Sequence, residues 1–350
     1  LLKSLLCSKS SQAAQPAADF INCDIDCTGF RLYSETMSAQ NKNKIAAALI
    51  VLSLAVFSSA TYLGPIKKID PFYTYYYLFA WWPFILTGEG ALHFRNRSLL
   101  FAQPLRFLLL MPLSVCVWLI FECFNLRLEN WHYINLPQNT AVRWTAYFFS
   151  FASVLPGLGM VKNLLSELGA ANKMPRTKID LRRHTQKMQI IGAIMLILPL
   201  AAPKYFFPLV WGGFIFLIDP YLYKRGAPSF TLNLAIGRWH EFIMWLYSGA
   251  VCGLLWELWN FQAGSKWFYT VPFVGDLKLF EMPVAGFLGF PPFAVECSVM
   301  ASLFFYLEER AGNKPGHYKI AFAALTLAAA AVFCCSVFFL IDLHTVAAFK

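Results

Sequence analysis

From residue 45 onward, apolar runs of about 20 residues alternate with short polar patches. The runs lack the period-two alternation of a half-buried strand, so each predicts a helix. They fall at 45–64, 72–92, 105–126, 142–164, 188–201, 204–223, 239–262, 279–307 and 318–341. Most are long enough to cross the hydrocarbon core of a bilayer, where only helices or closed barrels satisfy the backbone. The expected fold is all-α: a polytopic transmembrane bundle of about nine helices. The fifth run is short and is followed by Pro203 and Lys204. Pro291-Pro292 predict a kink in the eighth.

The chain also repeats itself. Leu119–Pro137 reads LIFECFNLRLENWHYINLP, and Leu254–Pro272 reads LLWELWNFQAGSKWFYTVP. Glu122 matches Glu257, Asn125 matches Asn260, Trp131 matches Trp267 and Tyr133 matches Tyr269. Both segments end a long helix and are expected to enter a short loop. Helices one to four then correspond to helices five to eight, with the ninth extra. An even number of spans per unit makes the repeats parallel. This divides the chain into 37–169, a basic linker at 170–187, a second repeat at 188–312 and a C-terminal helix at 313–350. Residues 1–36 are polar and aperiodic, and are expected to be a disordered extension ahead of a start at Met37.

Composition agrees with the bilayer. Only 14% of residues are charged against 58% hydrophobic, too few charges for a soluble surface. The net charge of +10 does not indicate nucleic acid, because the basic residues sit in short loops between helices. Lys42, Lys44, Arg95, Arg97, Arg176, Arg182, Arg183, Lys187, Lys224, Arg225 and Arg238 all fall on one side, which predicts a cytoplasmic N-terminus. No retention or transit signal is seen, so a plasma or inner membrane is expected. Six of the nine cysteines lie within apolar runs and are expected to pack as small hydrophobes. Cys23 and Cys27 have no partner pair at metal-ligand spacing. Glu89 and His93 lie four apart at the end of helix two, and Asp219-Pro220 near the matching end of helix six, but no metal constellation accompanies them. There is no glycine-rich phosphate loop and no nucleophile elbow, so neither metal nor cofactor is expected.

The residues able to carry chemistry concentrate around the repeat. Glu122 with Asn125, and Glu257 with Asn260, share a helix face by their three-residue spacing. Acids inside spans face the bundle interior and find partners. They are either site residues or hydrogen-bonding glue between the halves. Trp131, Tyr133, Trp267 and Tyr269 belong either to an interfacial aromatic belt or to the mouth of a cavity where ring faces stabilise a cation. The second half alone adds Asp276, Glu281 and Glu296. Glu281 precedes Pro283. Glu296 follows Pro291-Pro292 within an apolar run and is a candidate general acid, or else a buried contact to backbone freed by the prolines.

Trp256-Glu257, Trp267-Phe268-Tyr269, Gly275 and Glu281-Met282-Pro283 in this order resemble the membrane-integral lycopene cyclase domain family. The family's Pro-x-Glu-Glu is here reversed, as Glu281-Met282-Pro283, and the first half lacks it. The resemblance implies protonation of a terminal double bond, ring closure through a carbocation and proton loss, without redox change. It implies Glu281 or Glu296 as the acid, Glu257 as a second carboxylate, and Trp267 and Tyr269 as cation stabilisers. Glu122, Asn125, Trp131, Tyr133 and Asn260 would join in binding. The expected function is an integral membrane enzyme acting on a lipid-soluble isoprenoid, with membrane lipids as its surroundings. A transporter built on the repeat, or a non-catalytic scaffold, are the alternatives.

Overall fold

The computed structural model describes residues 38–170, 176–273, 275, 277–312 and 316–350, with backbone alone at 316–320. The expected extension at 1–36, Met37, Cys23, Cys27 and Asp276 lie outside the described residues.

The chain is an all-α bundle. Its long helices are α1 (Ala39–Thr61), α2 (Tyr76–His93), α4 (Pro104–Leu128), the consecutive α5 (Thr140–Ala152) and α6 (Val154–Glu167), and α7 (Thr185–Ala201). They continue with α9 (Val210–Lys224), α11 (His240–Gln262), α12 (Phe290–Gly312) and α13 (Gly316–His344). Single-turn or two-turn helices α3 (Leu99–Ala102), α8 (Pro203–Phe206) and α10 (Phe230–Ala235) join them. Seven segments among the described residues are long and apolar enough to cross a membrane. The chain is therefore an integral membrane protein. The second and fifth expected spans are α2 and α7, which at 18 and 17 residues are shorter. They pack against α1 and α9 respectively.

Three departures from the sequence expectation have identifiable physical causes. Pro291 and Pro292 do not kink the eighth span: α12 begins at Phe290, so both prolines sit in its first turn, where no N–H is missed. The segment before it is a small hairpin of β3 (Lys278–Leu279) and β4 (Met282–Pro283), then a 3-10 turn. The fourth span is broken at Ser153, ahead of Pro156. Ser114 of α4 satisfies the break, donating to Phe151 O at 2.6 Å and accepting from Leu155 N at 3.0 Å.

Third, the two stretches expected as loops are strands. β1 (Trp131–Ile134) pairs antiparallel with β2 (Lys266–Tyr269), so Trp131 faces Tyr269 and Tyr133 faces Trp267. The matched residues thus exchange places across the pair. The end of the chain adds to β1 on its other side, with Tyr133 N donating to Thr345 O and Ala347 N to Tyr133 O, both at 2.8 Å.

Close helix approach uses small residues, as is usual where lipid supplies no hydrophobic drive. Gly249 and Gly253 lie one turn apart on α11. A Cβ on Gly249 would stand 2.3 Å from Phe290 O, and one on Gly253 2.3 Å from the Phe290 ring. The two glycines bring α12 onto α11 and seat Phe290 between them.

Candidate functional site

Each half builds the same local device. At the end of α4, Asn125 clasps the backbone of Trp131: its Nδ2 donates to Trp131 O at 2.8 Å, and its Oδ1 accepts from Trp131 N at 3.2 Å. At the end of α11, Asn260 does the same for Trp267, with both bonds at 2.9 Å. An amide carries its donor and its acceptor on two separate atoms, which suits it to bridge the free N–H and C=O of one strand residue.

The glutamates hold the side chains. Tyr133 donates its hydroxyl hydrogen to Glu122 Oε1 at 2.5 Å, and Tyr269 donates to Glu257 Oε1 at 2.7 Å. The bonds stay within each half. The reading of Glu and Asn as glue between the halves is therefore corrected; the strand pair performs that joining. The belt reading is corrected for Trp131 and Tyr133, which are only 4% and 6% exposed, while Trp267 and Tyr269 are half-buried.

The halves differ around their acids. Glu122 Oε1 also accepts from Trp118 Nε1 at 2.8 Å and Trp131 Nε1 at 3.1 Å, giving it three donors. Glu257 Oε1 accepts from Tyr269, and Trp267 Nε1 donates to the Tyr269 oxygen at 2.8 Å. Trp118 stands where the second half has Gly253. Both glutamates are fully buried, and Oε2 of each has no hydrogen-bond partner among the described residues. Burial first, and the adjoining carboxyl second, push the Tyr133 and Tyr269 phenols well above their ordinary range, so both stay protonated at neutral pH.

These devices face a cavity of about 400 Å³ inside the bundle, within the size of small-molecule sites. Trp131, Tyr133, Trp267 and Tyr269 all line it, as do Trp118, Trp211, Trp256 and Phe293. The rings brace one another: Trp118 and Trp256 lie 5.2 Å apart, and Phe293 packs edge-on to Trp118 and Trp211 at 5.8 Å. Glu122, Glu257, Asn125 and Asn260 stand behind this wall and touch the space through the aromatic residues they hold.

The structure places the remaining candidates elsewhere. Glu281, between β3 and β4, pairs with Lys266 at 2.5 Å, and Lys266 lines the cavity. Glu281 is thus a counter-ion at the rim. Glu296 is fully buried on α12 and accepts from Phe214 N at 2.9 Å. That N–H lies just past Trp211, the non-helical residue (φ −83°, ψ 36°) at which α9 kinks. Glu296 therefore steadies the kink that presents Trp211 to the cavity. This matches the expected contact to freed backbone, though the freed group belongs to α9 and not to the prolines of α12.

Two site residues carry no sequence signal of their own. Arg143 of α5 lines the cavity at 5% exposure and forms a two-pronged pair with Asp342 of α13, at 2.7 and 2.6 Å. Asp342 also accepts from Trp144 Nε1 at 2.8 Å and Tyr147 OH at 3.0 Å. Arg143 counts in the sequence only as a loop charge, and Asp342 as one acid at the end of an extra helix. Among the described residues no group of three His, Cys, Asp or Glu stands together in a way that could hold a metal ion.

No family model, curated protein or solved structure matches this chain.

Proposed function

We propose that the chain is an integral membrane enzyme that isomerises a lipid-soluble isoprenoid by acid-catalysed ring closure, the end group of the substrate entering the aromatic cavity. The observation that carries this reading is the Glu257–Tyr269–Trp267 chain at the wall of an apolar, ring-lined space. The resemblance to membrane-integral lycopene cyclases points the same way.

Glu257 serves as the acid in its neutral form, acting through Tyr269. For the relay the resting Tyr269-to-Glu257 hydrogen bond reverses: the phenol turns its hydrogen towards the cavity and neutral Glu257 donates from Oε1, giving its proton to the phenol oxygen as the phenol gives its own to the terminal double bond. The π electrons form the new C–H bond and leave a tertiary carbocation. Trp267 Nε1–H, already on the phenol oxygen, stabilises the negative charge that gathers there during transfer. A second double bond closes on the cation, forming the ring C–C bond. Loss of a proton from the neighbouring carbon restores an alkene and returns the proton to the pair. Atoms and electrons balance without oxidant or reductant. The faces of Trp118, Trp131, Trp211 and Trp256 line the cavity and stabilise the cation, as aromatic ring faces attract organic cations in general.

Glu122 takes the supporting role, since three donors on one oxygen fix it in place. The basic side chains support an N-terminus on the cytoplasmic side of a plasma or inner membrane, which sets the strands towards the outer surface. The correspondence of helices one to four with five to eight as parallel repeats is supported by a second matched device. Glu89 accepts from Ser98 Oγ and Leu100 N at the start of α3, and Asp219 from Phe230 N and Thr231 at the start of α10.

The test is extraction of pigments from cells that make linear carotenoids, with and without the protein. A new species of unchanged mass and altered retention supports the reading. An unchanged profile with folded protein in the membrane rejects it.

A further inference from the structure

A second concavity opens on the outside of the bundle. It measures about 470 Å³ and is lined by Leu49, Leu52 and Val56 of α1, Phe79 and Trp82 of α2, and Phe149 of α5. Leu52 is 64% exposed and Phe149 42%, on helices that face the bilayer. The groove is apolar along its length, as a lipid-facing surface should be.

What distinguishes it from an ordinary lipid-facing crease is its floor. Tyr75 and Leu78 line both this groove and the central cavity. On α5, Phe149 lines the groove while its neighbours Ala146 and Ser150 line the cavity. The two spaces thus adjoin at Tyr75, just ahead of α2, and at Leu78 on α2, with α5 beside them. The two helices are latched together: Trp82 Nε1 donates to Phe149 O at 3.1 Å, and the two rings meet edge to face at 6.4 Å.

We propose that the groove is the subsite for the polyprenyl tail of the substrate and its lateral entry from the bilayer, with the end group passing between Tyr75, Leu78 and α5 into the cavity. This rests on the reading of the cavity as the end-group site. The occupant is a long isoprenoid hydrocarbon rather than a headgroup-bearing lipid. The groove is almost wholly apolar and adjoins an aromatic chamber, and 400 Å³ holds an end group but not a long chain. The tail must therefore remain outside, and the groove is a concavity that shares Tyr75 and Leu78 with the chamber.

The test uses the full chain in lipid nanodiscs containing a small fraction of a linear C40 polyene. A benzophenone amino acid is placed at Leu52 in the groove or, as a control, at Val332 on the exposed face of α13. After irradiation, mass spectrometry gives the ratio of polyene adduct to phospholipid adduct at each position. The proposal predicts a several-fold higher ratio at Leu52, returning to the control value when Leu78→Trp blocks the shared boundary in a variant shown to melt normally. Equal ratios at both positions, or enrichment indifferent to Leu78→Trp, overturn it. Enrichment without any ring closure would remove the cyclisation chemistry and leave the groove standing.

Discussion

Tyr269 gives its hydroxyl hydrogen to Glu257 and receives a second hydrogen bond, from the Trp267 indole, on the same oxygen. Tyr133 makes the matching bond to Glu122, but there the indoles of Trp118 and Trp131 bind the carboxyl directly. The two tyrosines are related by the repeat and yet differ in what their loss does. Tyr269→Phe removes the hydroxyl that donates to Glu257 and the route of its proton to the cavity. Turnover should fall by about 10²–10⁴-fold. Tyr133→Phe leaves two donors on Glu122 and should cost about 1 kcal/mol of stability with most turnover kept. Parallel rate and melting measurements on the two variants decide; equal losses of rate would contradict the division of roles.

Arg143 and Asp342 form the buried ion pair that ties α13 to the cavity wall. Removing one partner leaves the other uncompensated in a setting where that costs about 3–5 kcal/mol. Arg143→Met should therefore lower the melting temperature sharply, and Arg143→Met combined with Asp342→Leu should recover much of the loss. A double-mutant cycle by thermal unfolding in detergent reads the coupling. Additive losses would show that the pair is not a unit.

Gly249 and Gly253 separate two effects of one added methyl. At Gly249 the Cβ meets backbone, Phe290 O and the Pro291 Cα at 2.8 Å, which cannot swing aside. Gly249→Ala should destabilise by about 1–3 kcal/mol. At Gly253 the neighbour is the Phe290 ring, which lines the cavity. Gly253→Ala should push that ring into the chamber and weaken binding of a polyene more than it lowers stability. Melting curves beside polyene titrations distinguish the two.

The Lys350 ammonium binds the Asp70 carboxylate and Thr74, fastening the C-terminal strand to the turn before α2. The Lys350 hydrogen bond, with help from Thr74, holds Asp70 below the usual carboxylate range. A lowered folded-state value adds stability that is complete above the unfolded value, near 3.9, and is lost as pH falls through the folded one. The pair is half exposed, so solvent screening keeps its worth under about 1 kcal/mol. Hydrogen exchange at 345–350 should be unchanged from pH 8 to 5 once corrected for intrinsic rates, and should show loosening only at more acid pH. Asp70→Asn should show that loosening at every pH; protection equal to the parent would contradict the tether.

Much of this architecture was legible in the chain. Apolar runs of spanning length marked the helices, because the bilayer imposes the same demand on each. The matched Glu, Asn, Trp and Tyr marked the site, because the device they build uses nearby residues in each half. The pairing of β1 with β2 was not legible: Trp131–Ile134 and Lys266–Tyr269 are too short to show alternation, and their partners lie over a hundred residues apart. Asp342 was hidden for a similar reason, since its partner Arg143 is 199 residues away. The break at Ser153 depends on Ser114 from another helix, which no local pattern announces. Local rules located the elements, and long-range polar contacts decided how their ends were tied.

Acid-catalysed ring closure inside the aromatic cavity leaves an isotopic signature in its product. Membranes containing the protein are incubated with a linear carotenoid in D₂O, and the products are analysed by mass spectrometry. Protonation by an exchangeable acid, followed by loss of a different hydrogen, predicts a cyclic isomer carrying one deuterium for each ring closed. This product should be absent from membranes carrying Glu257→Gln. Recovery of only unchanged substrate, or of a cyclic isomer without deuterium, would contradict the account.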